Sequence, residues 1–432
     1  MELVYIAKLS NSSQRDFISH FYAILEDLES GAKGSDSVYL DFSKAFDKVD
    51  HGVVFRAVHK LGIHGKLGIW LASFLSKRTQ EVVIDGHKSA KSLVISGVPQ
   101  GTVLGPILFL ILINNISSGV DQNTRVASFA DDTRISRAIH SQQDMDTLQM
   151  DLETIYKWAE KVNMFFNDDK FEALRCWPIE NSGDHHYKNP INKIIEEPTD
   201  LKDLGVRLST DLSVKKHIQI KLKTARRQAG WVLRTFRTRS IKVMMTNLRS
   251  IIQPHLDYCS PIWSPIQQKE IKELEDIQRE FTRRIAGMKD LDYWERLTYL
   301  NLYSQEQRRE RYSIIFVWKI SVGLTKGYNI PFDVNPRRGK FAREKHIVKQ
   351  SPMSVKKARE ASLSVRGAKL FNMLPQPLRN FNSDKVDGFK RRLDQFLKSI
   401  PDQPSIQGRR RGAETNSLLH QLSWAVQQNI MG

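Results

Sequence analysis

Val126-Ala-Ser-Phe-Ala-Asp-Asp-Thr-Arg-Ile135 has the pattern of two short strands with a pair of aspartates at the bend. Val126, Phe129 and Ile135 are strand-forming residues, and Asp131-Asp132 is a turn-type pair. A tight hairpin would direct both carboxylates out of one tip of a sheet. Because adjacent carboxylates repel each other, they need solvent or a bridging cation. An isolated pair would be interpreted as a solvated turn, so the surrounding sequence has to decide.

The composition predicts an intracellular protein with a polyanionic partner. The chain has 432 residues, enough for two to four domains, with 40% hydrophobic and 26% charged residues. Its formal net charge of +18 favours nucleic acid, with an anionic membrane surface as the rival partner. Only two cysteines are present, which excludes a disulfide framework and a zinc knuckle. Neither a signal peptide nor a membrane-spanning run is recognisable, so we expect the cytoplasm or nucleus.

Two motifs precede the aspartate pair. A short apolar strand is predicted over 37–42, with Asp41 near its end, where open sheets commonly carry functional groups. Asp50 is predicted to cap the next helix. Ser96-Gly-Val-Pro-Gln-Gly101 follows, directly before an apolar helix predicted over 107–116, and such a turn suits contact with a nucleotide. Each feature also has an ordinary explanation: a strand-end cap for Asp41 and a simple loop for 96–101.

The second half of the chain changes to long basic helices. A helix is predicted over 145–161, a turn at 167–170, a strand over 171–176 and a strand or turn at 201–206. Beyond residue 212 basic residues are interleaved with Trp231 and Phe236, a mixture that suits nucleic acid, although a solvated helix face explains it as well. The basic residues are Lys215, Lys216, Lys221, Lys223, Arg226, Arg227, Arg234, Arg237 and Arg239.

The order of the motifs indicates a chemistry. If Asp41, Asp131 and Asp132 lie on neighbouring strands, their carboxylates could converge on two divalent ions. Hard oxygen ligands suit Mg²⁺, and two ions roughly 3.5–4 Å apart clamp both oxygens of an in-line phosphoryl displacement. Phe46 lies five residues beyond Asp41 and could exclude a sugar 2′-hydroxyl, or it could be a core residue.

Several motifs in order resemble the palm of reverse transcriptases from non-LTR retrotransposons of the jockey and CR1 type. They are Tyr39-Leu-Asp-Phe-Ser-Lys-Ala-Phe-Asp47, Ser96-Gly-Val-Pro-Gln-Gly-Thr-Val-Leu-Gly-Pro106 and Phe129-Ala-Asp-Asp132. Later stretches at 167–170 and 201–206 resemble further palm elements of that family. Others, including His255-Leu-Asp-Tyr258 and Leu370-Phe-Asn-Met-Leu-Pro375, resemble its C-terminal region, so the resemblance covers about 37–399.

The resemblance implies an α+β right-hand polymerase fold and a set of site residues. It implies metal ligation by Asp41, Asp131 and Asp132, with two Mg²⁺ ions or Mn²⁺ in their place, and proton donation to pyrophosphate by Lys170. The partners implied are an RNA template, a DNA primer and deoxynucleoside triphosphates. The remaining residues implied are Phe42, whose carbonyl helps hold an ion, Phe46 as sugar gate, Gln100 and Gly101 at the template and nucleotide, and Leu204 and Gly205 in the primer-grip turn.

The same resemblance divides the chain. We expect a partial fingers remnant over 1–36, an α/β palm with a fingers insertion over 37–210 and a helical thumb over 211–330. A basic linker over 331–360, a helical C-terminal region over 361–400 and a disordered tail over 401–432 are expected to follow. The chain departs from the family in several places. Its fingers motifs are not matched in the 40 residues before Asp41, Phe129 stands where a tyrosine is more common, and Asp203 stands where an aromatic residue is common.

The sequence therefore predicts an RNA-directed DNA polymerase, an N-terminally truncated copy of a non-LTR element protein. Two alternatives remain open. One is a catalytically inactive remnant that still binds nucleic acid, which the unmatched fingers motifs favour. The other is an RNA-copying RNA polymerase on the same palm, against which the large side chain of Phe46 argues.

Overall fold

The fold is described from a computed structural model. The structure describes residues 12–176, 185–325, 356–379, 385–400, 402 and 416–419. Most of the basic linker expected over 331–360 and most of the tail expected over 401–432 lie outside the described residues. The chain divides into two compact units, the first reaching Leu204 and including Ser209–Asp211, the second comprising Gly205–Leu208 and the chain from Leu212 onward.

The first unit is built on a four-stranded antiparallel sheet. Its helices are α1 (Ser12–Glu29), α2 (Ala45–Lys48), α3 (His51–Lys60), α4 (Gly65–Leu75), α5 (Leu104–Ile113) and α6 (Gln142–Lys161). Its strands are β1 (Gly34–Asp41), β2 (Thr79–Gln80), β3 (Val83–Ile84), β4 (His87–Lys88), β5 (Ser92–Leu93), β6 (Arg125–Phe129), β7 (Asp132–Ile139), β8 (Glu172–Cys176) and β9 (Asp200–Asp203). The main sheet has the order β6-β7-β1-β8, which puts the predicted strand β1 in its centre.

Local sequence signals explain most of these boundaries. The side chain of Asp50 accepts a hydrogen bond from the backbone nitrogen of Val53 at 2.9 Å, so the predicted cap of α3 is confirmed. The Asp85-Gly86 pair, a sequence typical of two-residue hairpin turns, joins β3 to β4, and both residues have positive φ, as a type I′ hairpin requires. The apolar helix predicted over 107–116 is present as α5 but begins and ends three residues earlier.

One apolar core supports the sheet. It joins the inner faces of β1 and β7 to α3, α5 and α6 through residues such as Val38, Ile135, Phe109 and Leu152, each fully buried. Burial of apolar area is the main favourable term in folding, so this core fixes the sheet on which the strand ends lie. Among the described residues, no helix combines the length and apolar character needed to cross a membrane.

The second unit is helical, as expected for the chain after 212. It contains β10 (Val206–Ser209) except for its last residue, and the helices α7 (Lys215–Thr235), α8 (Ile241–Asn247), α9 (Gln253–Asp257), α10 (Ser260–Trp263), α11 (Gln268–Arg283), α12 (Tyr293–Leu300), α13 (Gln305–Ser321), α14 (Lys356–Ala361), α15 (Leu363–Asn372), α16 (Gln376–Arg379) and α17 (Val386–Lys398). A π-helical turn, Leu248–Ile252, separates α8 from α9. Helix α13 is central, packing against α10, α11, α15 and α17.

Part of the C-terminal tail packs on this unit. The side-chain nitrogen of Asn416 donates to Asp402 at 2.8 Å, and the backbone nitrogen of Leu418 donates to Glu310 of α13 at 2.7 Å. Leu418 is fully buried. These described residues of the tail are therefore ordered against α13.

Candidate active site

The aspartate pair lies at a tight hairpin between β6 and β7, close to where the sequence puts it. The two-residue turn is Ala130–Asp131, and Ala130 has a φ of 56°. The prediction that both aspartates lie at the bend is wrong for Asp132. Asp132 is the first residue of β7 and pairs with Phe129. The cause is the two-residue loop, because the preferred hairpin turns place only two residues outside the ladder.

Asp41 and Asp132 are directly opposite each other on adjacent antiparallel strands. Asp41 is the last residue of β1, and strand pairing gives Asp132 as its partner. Opposed residues of an antiparallel pair project from the same face, with β-carbons roughly 4.5–5.5 Å apart. The carboxylates of Asp41 and Asp132 therefore lie side by side at the end of the sheet. Asp131, the third predicted carboxylate, precedes Asp132 in the turn.

Lys170 joins this group from another element. A 3₁₀ helix, Asp168–Lys170, follows α6 and is held to the strand end by the backbone nitrogen of Asn167, which donates to the carbonyl of Asp41 at 2.8 Å. The Lys170 ammonium nitrogen lies 2.6 Å from a carboxylate oxygen of Asp41. This carboxylate raises the pKa of Lys170, so the side chain carries a proton next to the aspartates.

The neighbouring carboxylates at this end of the sheet repel one another electrostatically. Burial, and then the negative charges of Asp131, Asp41 and Asp203, raise the pKa of Asp132 to about 6, against a smaller opposing effect of Lys170. A cation would relieve this repulsion, and carboxylate oxygens are the donors that Mg²⁺ and Mn²⁺ prefer. The donor set therefore fits divalent ions in its chemistry. Within the described parts of the chain, however, no three such side chains already converge closely enough to hold one.

A cavity of about 690 Å³ opens at this end of the sheet. Asp41, Asp132, Lys170 and Leu204 all line it, so the cavity brings four predicted site residues together. Its size is within the range of small-molecule sites.

Phe46, Gln100 and Gly101 form a second group, none of whose members lines that cavity. The amide nitrogen of Gln100 donates to Asp47 at 2.8 Å. The Phe46 ring stacks on the buried ring of Phe109 with centroids 4.4 Å apart. Phe46 is only partly buried and packs against the apolar core, so it has both the packing of a core residue and an exposed part.

A close backbone contact holds the 96–101 turn against α2. Gly97 has a φ of +86°, and a β-carbon there would lie 2.7 Å from the carbonyl oxygen of Asp47 and 2.9 Å from that of Phe46. Only glycine fits both restrictions. Gly101 also has a positive φ, but its surroundings are open.

The other predicted residues lie at the edges of the site. Phe42 is buried and stacks on Phe166 with centroids 4.2 Å apart, which anchors the residue after Asp41. Leu204 and Gly205 both have positive φ, so they form the predicted turn. A β-carbon on Gly205 would approach the ring of Tyr258 to 3.2 Å, within the second unit.

Sequence reasoning missed a buried polar group beneath the aspartates. Arg134 of β7 donates to Asp203 at 2.6 Å, and the Tyr39 hydroxyl donates to the same carboxylate at 3.3 Å. Burial raises the pKa of Asp203, and the charge of Arg134 opposes that shift. The only signal in the sequence was the unusual aspartate at 203.

Comparison with known proteins agrees with this geometry. Residues 6–208 match the family described as reverse transcriptase (RNA-dependent DNA polymerase). The resemblance inferred from the palm motifs is thereby confirmed, and with it a polymerase fold of mixed helices and sheet.

Curated relatives of the reverse transcriptase domain come from mobile elements. The RNA-directed DNA polymerase from mobile element jockey of Drosophila melanogaster is 27% identical over 262 residues, which cover 58% of this chain and 28% of the relative. The probable RNA-directed DNA polymerase from transposon X-element of the same species is 27% identical over 264 residues, with the same shares. The chain therefore spans well under half the length of these relatives. Among solved structures, apo telomerase from Candida tropicalis matches with 12% identity and a TM-score of 0.40, covering 74% of this chain and 55% of that one.

Proposed function

We propose that this protein extends the 3′ end of a DNA primer along an RNA template, using deoxynucleoside triphosphates. The observation that carries the proposal is the pairing of Asp41 with Asp132 at the strand end, with Asp131 beside them and Lys170 in contact. The match of residues 6–208 to the reverse transcriptase family supports the same reaction.

In this proposal the aspartates hold two divalent ions, Mg²⁺ or Mn²⁺. The chemistry that bound ions supply there is activation of the primer 3′-hydroxyl and stabilisation of the leaving pyrophosphate. Asp41, Asp131 and Asp132 provide the oxygen donors, together with the carbonyl of Phe42. Lys170 keeps its proton beside Asp41 and donates it to the departing pyrophosphate.

The surrounding residues bind and select the substrates. Phe46, stacked on Phe109, excludes a 2′-hydroxyl by steric overlap, while Gln100 and Gly101 contact the template and incoming nucleotide. The turn at Leu204 and Gly205 grips the primer.

We assign the parts of the molecule accordingly. Residues 37–210 form the palm with a fingers insertion, 1–36 part of the fingers and 211–330 the thumb. The segments 331–360, 361–400 and 401–432 are assigned as basic linker, C-terminal helical region and tail.

Primer extension tests the proposal. A labelled DNA primer on an RNA template is incubated with deoxynucleotides and Mg²⁺, with wild-type protein beside Asp41→Ala and Asp131→Ala. We expect extension by the wild type and loss of at least about a thousandfold in both variants, because uncompensated phosphate charge blocks the displacement. Asp146→Asn is the matched control, since Asp146 is an exposed carboxylate on α6. Equal extension by Asp131→Ala would refute the site.

One observation favours a second function, nucleic-acid binding without polymerisation. Asp41 is already paired with the ammonium group of Lys170, and in the described ranges no three metal-ligating side chains converge. This alternative predicts that the wild type extends no primer but binds primer–template in a salt-sensitive manner. Extension by the wild type excludes it.

A further inference from the structure

A second layer of polar side chains lies directly beneath the paired aspartates. Strand pairing sets Tyr39 opposite Arg134, two residues from the pair of Asp41 and Asp132. Because side chains alternate along a strand, all four project from one face of the sheet. Tyr39 and Arg134 thus form the next row on the face that carries the aspartates.

The guanidinium of Arg134 connects two distant segments. One terminal nitrogen donates to Asp203 at 2.6 Å, and the other donates to Asp16 of α1 at 3.0 Å. The side chains of Arg134 and Asp203 are 7% and 5% exposed. Charged side chains are almost never buried to this extent unless they are paired, so each depends on the other.

Asp203 is where this connection reaches the predicted primer-grip turn. It is the last residue of β9, and Leu204 follows with a φ of 45°. Leu204 lines the same cavity as Asp41 and Asp132. The buried ion pair of Arg134 and Asp203 therefore connects the strand of Asp132 to the residue that directly precedes the turn.

We propose that the Arg134–Asp203 ion pair positions the turn at Leu204 relative to Asp132, so that a gripped primer end meets the aspartates. The inference rests on the proposed polymerase function. Arg134 and Asp203 are positioning residues: Arg134 acts through the strand of Asp132, and Asp203 acts through Leu204.

The competing explanation is that the pair only stabilises the fold, and Asp16 provides the control for it. Asp16→Asn weakens the other arm of the same guanidinium, whereas Asp203→Asn weakens the arm that leads directly to Leu204. A purely structural role predicts that both variants change the melting temperature and the extension rate in parallel.

Steady-state primer extension with the full chain separates the two explanations. We expect Asp203→Asn to raise KM for primer–template about tenfold, with a smaller change in kcat and in KM for the nucleotide, because misplacement of the primer end reduces productive binding. Asp16→Asn should keep KM for primer–template within about twofold of wild type. Equal effects of the two variants overturn the proposal.

A double variant guards against misfolding of Asp203→Asn. Arg134→Gln combined with Asp203→Asn removes both charges, so no unpaired charge remains buried between them. It should fold and show the same increase in KM for primer–template. A wild-type KM in the double variant would mean that the pair has no positioning role.

Hydrogen exchange distinguishes failure of this inference from failure of the proposed function. If the wild type extends no primer, the polymerase proposal fails, but the positioning can still be measured. Backbone amides of 200–204 should exchange at least about tenfold faster in Asp203→Asn than in Asp16→Asn. Equal exchange rates in the two variants refute the inference.

Discussion

At the residue scale, the position of the Phe46 ring depends on the residue against which it packs. Phe46 is only partly buried, but its ring rests on Phe109, which is completely buried in the core of the first unit. Offset aromatic pairs of this kind contribute about 0.5–1.5 kcal/mol beyond their burial. The orientation of the proposed sugar gate is therefore set by a residue of α5 that no motif identifies.

Phe109→Leu should weaken sugar selection without removing the gate. The smaller side chain leaves Phe46 without its stacking partner, so its ring can move away from the sugar. We expect the ratio of deoxynucleotide to ribonucleotide incorporation to fall about three- to tenfold, measured as kcat/KM for each nucleotide.

Phe17→Leu is the matched control, because Phe17 is an equally buried phenylalanine on α1. Both variants should lose roughly 1–2 kcal/mol of stability. If the two variants change sugar selection equally, stacking on Phe109 has no role in the gate.

At the scale of elements, the 96–101 turn is fixed by contact with α2. The β-carbon that any other residue would add at position 97 overlaps two backbone carbonyls, whereas position 101 is open. Both positions have positive φ, so only their surroundings differ. Backbone atoms cannot yield as a flexible side chain can.

Gly97→Ala should therefore be clearly more harmful than Gly101→Ala. We expect Gly101→Ala to lose about 1–2 kcal/mol in the free energy of unfolding, from its positive φ alone. Gly97→Ala should lose more and should also raise KM for the incoming nucleotide, because Gln100 is displaced from Asp47. Urea unfolding and nucleotide titration measure the two effects, and equal losses would contradict the close contact.

Elements defined by neighbouring residues could be predicted from the sequence, while contacts between distant segments could not. The cap at Asp50, the Asp85-Gly86 hairpin and the aspartate hairpin follow from local residue preferences. Arg134 contacts Asp203 across 69 positions and Asp16 across 118, and neither spacing has a periodic or motif signature. The antiparallel strand order β6-β7-β1-β8 likewise depends on pairing between strands that are distant in the sequence, which no local residue pattern specifies.

At the scale of the whole molecule, buried acids make stability depend on pH. Burial raises the pKa of Glu275 in α11 to about 8, and it also raises the pKa of Glu310 in α13. In the unfolded chain Glu275 has the ordinary pKa of a glutamate, 4.5, whereas in the folded chain it keeps its proton up to about pH 8. Between these values the folded state holds more protons, so the free energy of unfolding falls as pH rises.

Thermal unfolding between pH 4.5 and 8 should show that the wild type loses stability with rising pH faster than Glu275→Gln does. Glu310 and the buried histidines, whose pKa values burial lowers, contribute equally to both proteins. The neutral amide resembles the protonated acid that the folded state prefers. Glu273→Gln on the same helix is the control, because Glu273 is only partly buried and should leave the slope unchanged. An unchanged slope in Glu275→Gln would mean that Glu275 is charged in the folded protein.

The net charge of +18 is unevenly distributed, and part of the excess of basic residues is concentrated on α7. This helix has seven lysines and arginines and no acidic residue, whereas α11 mixes both signs. Lys223, Arg227 and Arg234 are exposed at helical spacing, so they lie on one face. Such a face releases condensed counterions when it binds phosphates, which makes the affinity strongly dependent on salt.

Replacing Lys223, Arg227 and Arg234 with glutamine should weaken binding of an RNA–DNA primer–template and reduce the slope of log K against log salt by about 2–3. The matched control replaces the exposed Lys269, Lys272 and Arg283 of α11, which removes the same charge from a face that includes acids. If net charge alone attracted the nucleic acid, both triple variants would change the slope equally. A reduced slope only for the α7 variant identifies this helix face as a phosphate-contacting surface.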